Sequence, residues 1–218
     1  MNVAEALRAR ISVRAFRADP VSLPLLKEVL DAARYAPSGG NLQPWRVIAV
    51  SGAERDAVVQ LAKTHSHDDD GYPTYPPSLW EPFRSRRYKL AEDMYALMGV
   101  PREDKAARLA HVARNFEFFD APVGLFFVID RRLGHGQWAH LGMLIQSVAL
   151  AATERGLGTC IQESWGNVRT ALHAHFKLAE HELLYCGMAV GYADESKPVN
   201  RLRSDRASLE ELVEFRGF

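Results

Sequence analysis

Three side chains near the start of the chain have the types and spacing of an anion grip: Arg10, Ser12 and Arg14 stand at alternate positions. In an extended segment alternate side chains share one side, so two planar guanidinium forks and a hydroxyl donor would face a common ligand, matching phosphate oxygens. Arg8 and Arg10 also suit the C-terminal end of a first helix, whose dipole a cation complements. A second basic cluster, Arg201, Arg203 and Arg206, lies near the other end and would be a solvated loop by default. If the two clusters converge, they surround one anion.

Residues 35–46 form the most informative segment. A helix end, Gly39 and Gly40, and the polar side chains of Ser38, Asn41 and Gln43 sit between Pro37 and Pro44, directly before a β-rich run. A rigid loop with fixed donors and acceptors can hold a planar heterocycle by its edge.

Other chemistry is weakly supported. The sequence contains no GxGxxG, P-loop, GxSxG or HExxH pattern, which disfavours a Rossmann-type nicotinamide enzyme and a serine hydrolase. His65, His67 and Asp68 to Asp70 are metal-ligand types, but the rest of the chain supplies no clear further ligands. His173 and His175 on one helix would point about 200° apart. Cys160 and Cys186 lie in apolar strand contexts as packed thiols.

The elements that must position these groups follow from periodicity. Helices are expected at residues 2–9, 23–35, 53–63, 84–98, 102–118, 137–154 and 167–175, with a last turn from Leu209. Strands are expected at 45–50, 122–129, 159–162 and 183–191. Pro101 separates the fourth and fifth helices. Residues 137–154 are apolar nearly all round, which points to a helix buried on every side and, in a small domain, to a subunit interface. Residues 65–119 read as an insertion or lid, whose Tyr72, Tyr75, Trp80, Phe83 and Arg84 could wall an active site.

The whole is an α+β or mixed α/β arrangement in a single domain over residues 1–218. At this length about 70 to 75% of the unfolded surface can be buried. Lys and Arg together number 27, as do Asp and Glu, so no broad basic surface for nucleic acid is expected. The longest apolar run near a strand, nine residues, is too short for a membrane helix. With no apolar leader at the N-terminus and no paired-cysteine motif, a cytoplasmic protein is expected.

Residues Ala36, Pro37, Ser38, Asn41, Gln43, Pro44 and Trp45 resemble the flavin loop of the FMN-dependent nitroreductase family, APSxxNxQPW. The resemblance covers almost the whole chain. Arg10, Ser12, Arg14 and Phe16 match the family's phosphate-binding start, GLGTC at 156–160 its approach to the flavin ring, and residues 191–206 its closing arginines. The middle, including NFEFFDAP at 115–122 and Gly136-Gln137-Trp138, is similar to the branch containing nitrobenzoate reductases. The chain departs from the family pattern at Ile11, often Arg or His, and at Ile161, often Pro in this branch.

The resemblance implies an α+β fold, with a mixed central sheet flanked by helices, in an intertwined homodimer holding two FMN. Arg10, Ser12 and Arg14, with Arg203 and Arg206, would hold the phosphate and ribityl chain. Pro37, Ser38, Asn41 and Gln43 would reach the same flavin from the partner, and Gln162 and Glu163 would offer backbone groups to the N5 and O4 edge. NADH or NADPH would reduce the flavin in a ping-pong cycle, and a nitroaromatic or quinone-like acceptor would reoxidise it. The scaffold also fits a reductive dehalogenase, an enoate or quinone reductase, or a non-catalytic flavin-binding redox sensor.

Overall fold

The computed structural model describes residues 1–68 and 75–218. Four strands, β1 (Arg46–Ser51), β2 (Val123–Asp130), β3 (Gly158–Gln162) and β4 (Glu182–Gly191), form one sheet in the order β1-β2-β4-β3. Every pairing between them is antiparallel, and a parallel bridge between Ser12 and Thr159 at the β3 edge gives the sheet its mixed character. Around it lie α1 (Val3–Ala9), α2 (Leu23–Ala33), α3 (Gly52–Thr64), α4 (Phe83–Leu97), α5 (Lys105–Ala113), α6 (His135–Glu154), α7 (Arg169–His175) and α8 (Leu209–Leu212).

Strand β2 is buried along nearly its whole length because both faces of the sheet are covered. Phe126 and Val128 face a cluster with Val58, Phe118, Trp165 and Leu172, under α3 and α7. Leu125, Phe127 and Ile129 face the other way, among Leu26, Val29, Leu141, Ile145 and Val148 of α2 and α6. Two glycines allow the large rings to lie flat on the sheet. A Cβ on Gly124 would stand 2.3 Å from Phe118 Cζ, and one on Gly187 2.3 Å from Trp165 Cδ1.

One expectation needs correction. The helix expected at 102–118 stops at Ala113, and a 3-10 stretch follows in which Phe118, Phe119 and Asp120 take φ of 53°, 52° and 69°. Burying both phenylalanines against the sheet overrides helical continuity. Both belong to the core. Within one chain, helix α6 is covered on one side only. Leu141, Leu144, Ile145, Val148 and Ala152 face the sheet, while Ala139, Gly142 and Met143 are exposed, Met143 by 43%.

Candidate functional site

The two ends of the chain meet. The segment after α1 runs extended, with Val13 buried and its N–H donating to Thr159 O at 2.9 Å. Ser12 and Arg14 flank Val13 and turn to the opposite side, as alternation requires. They line a cavity of about 340 Å³ together with Arg8, Arg10, Arg203 and Arg206. No carboxylate of the described residues lines it; the remaining walls are Leu7, Ile11, Leu90, Leu202 and Ser204.

The electrostatics of this cradle are strained. Burial and the nearby charge of Arg206 both lower the Arg10 pKa from its ordinary value, and its Nε is buried with no hydrogen-bond partner. The guanidinium groups of Arg203 and Arg206 donate to neutral oxygens, those of Asn200, Leu202, Ser204 and Asp205. A dianionic phosphate would satisfy the orphaned donor and offset the like-charge crowding. The residues present therefore fit the phosphate end of a flavin mononucleotide.

The loop expected to read a flavin edge is elsewhere in the chain and lines no part of that cavity. Its conformation is self-made. Ser38 Oγ accepts from Gln43 N at 2.9 Å, and Gln43 Nε2 donates to Asn41 Oδ1 at 3.2 Å. Gly40, Asn41 and Gln43 all have positive φ, 59°, 53° and 47°, a concentration of local strain of the sort functional loops carry. The Gly39 N–H reaches His140 Nδ1 of α6 at 3.4 Å, so the loop rests beside that helix's exposed face. Sequence reasoning did not single out His140.

At the end of β3, Gln162 is fully buried. Its Nε2 donates to Asn115 O at 2.7 Å and its Oε1 accepts from Trp165 Nε1 at 3.3 Å. This side chain is consumed internally, which leaves only backbone for a ligand. Glu163 is exposed and accepts from Tyr185 OH at 3.3 Å; partial desolvation of its carboxyl raises its pKa.

Of the five residues expected to wall the site, Tyr72 lies outside the described residues. Tyr75 and Phe83 line a second cavity of about 620 Å³, between α4 and the segment 204–211. Trp80, 62% exposed, packs edge-on against Phe83, and Arg84 is held by Glu81 at 2.8 Å; neither lines that cavity. Sequence reasoning also missed Leu90, which lines both cavities from the middle of α4.

The candidate metal ligands and the helix histidines have structural partners. Asp68 accepts from Thr170 N in the first turn of α7 and pairs with His65, and no group of His, Cys, Asp and Glu among the described residues could hold a metal. His173 meets a backbone oxygen and His175 meets Glu54. Both cysteines are free and buried; burial pushes the Cys160 thiol up to about 11 and raises that of Cys186 as well. No described helix is long and apolar enough to cross a membrane.

A helix-flanked α+β sheet with an arginine cradle joining the two chain ends defines a domain built for a phosphorylated cofactor. Residues 7–192 match the model of the Nitroreductase family, and the chain belongs to that family. It is 36% identical to a nitrobenzene nitroreductase of Ectopseudomonas oleovorans, over 97% of this chain and 95% of that protein. It is likewise 36% identical to a 4-nitrobenzoate reductase of Pseudomonas putida, over 96% and 93%. Among solved structures, it superposes on the FMN and NADPH-dependent nitroreductase NfnB from Sphigopyxis sp. strain HMH with a TM-score of 0.95, at 39% identity and full coverage of both chains.

Proposed function

We propose that this chain is an FMN-dependent nitroreductase that uses NADPH or NADH to reduce nitroaromatic compounds, of the nitrobenzene or nitrobenzoate type, to hydroxylamino or amino products. The observation that carries this reading is the carboxylate-free cavity lined by Arg10, Ser12, Arg14, Arg203 and Arg206, in which a buried Arg10 Nε has no partner. The activities named for its relatives support the substrate class.

Bound FMN would supply the redox chemistry, taking hydride from the nucleotide and passing electrons to the acceptor. Arg10, Arg203 and Arg206 bind the phosphate, and Ser12 adds a neutral donor. Arg14, half-buried beside them, would place positive charge toward a bound flavin and favour negative charge on its pyrimidine side. The backbone at Gln162 and Glu163 would face the N5 and O4 edge, held in place by the bonds of the Gln162 side chain to Asn115 and Trp165. No side chain is assigned as a general acid.

The reading includes a homodimer. Pro37, Ser38, Asn41 and Gln43 lie outside their own chain's cradle and would complete the partner's flavin site. The exposed Ala139, Gly142 and Met143 face of α6, beside that loop, supplies apolar surface for a second copy. Exposed, described residues of segment 65–119 such as Trp80 and Phe83 would shield the flavin face. The free, buried thiols suit a cytoplasmic enzyme.

The test is direct. The purified protein is expected to be yellow, to bleach anaerobically on adding NADPH or NADH, and to recover its colour on adding nitrobenzene or 4-nitrobenzoate, with hydroxylamine formed. A yellow protein that neither nucleotide reduces would instead be a non-catalytic flavin binder. Dehalogenation without nitro reduction would move it to another reaction of the same scaffold.

A further inference from the structure

The second cavity, between α4 and residues 204–211, has no role in the phosphate cradle, yet it adjoins it: Leu90, Ser204 and Arg206 line both. Helix α4 presents Phe83, Arg86, Arg87 and Leu90 to it at i, i+3, i+4 and i+7, one face of a helix. With about 620 Å³ it lies within the range of small-molecule sites.

Its charges are unevenly committed. Arg86 pairs with Glu211 at 2.8 Å, and Lys89 pairs with Asp93 at 2.6 Å and Asp205 at 2.9 Å, so the acidic residues of the wall are already partnered. Arg87 has no carboxylate partner among the described residues. Its guanidinium lies 4.3 Å from the centre of the Tyr75 ring. Stacking pre-orients the planar fork and leaves its N–H groups for a ligand. The cavity thus combines an uncommitted arginine with two exposed aromatic rings, Tyr75 and Phe83.

We propose that this cavity seats the adenosine 2′-phosphate end of NADPH, with Arg87 as the residue that selects NADPH over NADH. The inference rests on the FMN and NAD(P)H reading above. A purine offers a flat face to Tyr75 and Phe83, and a phosphate monoester offers Arg87 a dianion with oxygens matched to its fork. Location favours the nucleotide over a carboxylated acceptor. A nitroaromatic must reach the redox ring, whereas Gln162 and Glu163, the residues assigned to that edge, line neither cavity. The far end of a dinucleotide belongs away from the ring, beside the phosphate cradle.

The test uses protein saturated with FMN, so that the cradle is filled, titrated calorimetrically with adenosine 2′,5′-bisphosphate and with 5′-AMP. The bisphosphate is expected to bind at least tenfold more tightly. Arg87→Ala should bring the two together and lower the NADPH-to-NADH ratio of kcat/KM about tenfold, through KM; Arg87→Lys should restore part of it. Equal binding of the two ligands to the unaltered protein would overturn the proposal, and so would a ratio untouched by Arg87→Ala. A rise in KM for 4-nitrobenzoate alone would give Arg87 to the acceptor and overturn it too. A protein that discriminates the two ligands through Arg87 but reduces no nitroaromatic supports the pocket and sinks the nitroreductase activity instead.

Discussion

Asn200 Oδ1 accepts the backbone N–H of Arg14 at 2.8 Å, tying together two segments 186 residues apart. Its Nδ2 completes the tie by donating to Ala15 O at 2.8 Å and Asp194 O at 2.9 Å, so the buried amide uses both donors and its acceptor. This side chain brings the two arginine clusters to one cavity. Asn200→Ala leaves the part-buried Arg14 N–H without its partner, while Ala15 O and Asp194 O keep the N–H groups of Asp194 and Lys197, and should cost about 1–3 kcal/mol of stability. Flavin affinity should fall about tenfold, because Arg203 would no longer be held relative to Arg14. Denaturant unfolding and FMN titration measure both; wild-type values in each would remove Asn200 from this role.

The crowding in the cradle separates binding from stability. Burial and Arg206 both disfavour charged Arg10 before an anion binds. Arg10→Ala should therefore leave flavin-free protein as stable as before, or slightly more so, while weakening FMN by about ten- to a hundredfold. The readout is the rise in Tm on adding FMN, which shrinks as affinity falls. A variant that loses stability without FMN but keeps its full rise would show that Arg10 serves the fold.

His111 of α5 sets an acid limit. It is 5% exposed, neither ring nitrogen has a partner, and the rings of Tyr95 and Phe119 lie 6.1 and 5.6 Å away. Burial, then the charges of Arg114 and Arg14, push its pKa down to about 4. The unfolded chain takes up this proton near pH 6.5. Stability present above that pH is therefore lost as pH falls toward 4, by up to about 1.4 kcal/mol per unit. His111→Phe keeps an aromatic ring and should lose about 2 kcal/mol less than the unaltered protein between pH 7 and 4.5. Parallel acid limbs for the two proteins would refute the assignment.

What the sequence made legible was set by the range of the interactions. Strand β2 and helix α2 announce themselves through local periodicity, and the alternation of Arg10, Ser12 and Arg14 survives because Val13 between them packs inward. The turn of Phe118 and Phe119 into left-handed backbone is decided by the Phe118 ring pressed against Gly124 and Trp165 and the Phe119 ring buried beside His111, contacts no local pattern contains. Ser38 and Gln43 carry the right groups, but which oxygen Gln43 N finds depends on φ at Gly40 and Asn41. Asn200 and Leu90 carry no chemical signal by type. They matter only because distant segments meet on them.

Gln162 links the end of β3 to the 3-10 stretch after α5. Gln162→Leu preserves most of the buried volume but strands Asn115 O and Trp165 Nε1 in the core, at a cost of about 2–4 kcal/mol. Since the backbone at Glu163 follows directly, the flavin spectrum should also shift and kcat should drop more than FMN affinity. An equally large loss of FMN binding, with unchanged spectrum of the bound fraction, would place the effect in the cradle.

The exposed side of α6 tests the subunit arrangement. Gly142 has open space where a Cβ would be, and Met143 beside it is 43% exposed, on a helix whose opposite side is locked into the sheet. The flavin loop rests beside this helix through the Gly39 contact to His140. If a second copy covers the face, a charge there must be buried on association, and an unpaired buried carboxylate is costly enough to split a dimer. Met143→Glu should therefore yield a folded monomer by light scattering, with a normal far-ultraviolet circular dichroism spectrum and little bound FMN, because Ser38 and Asn41 would no longer reach a partner's cradle. Within one chain the substitution costs little, since the side chain already meets solvent. A Met143→Glu protein that remains dimeric would place the interface elsewhere, and a monomer retaining full FMN would show that one chain builds the whole flavin site.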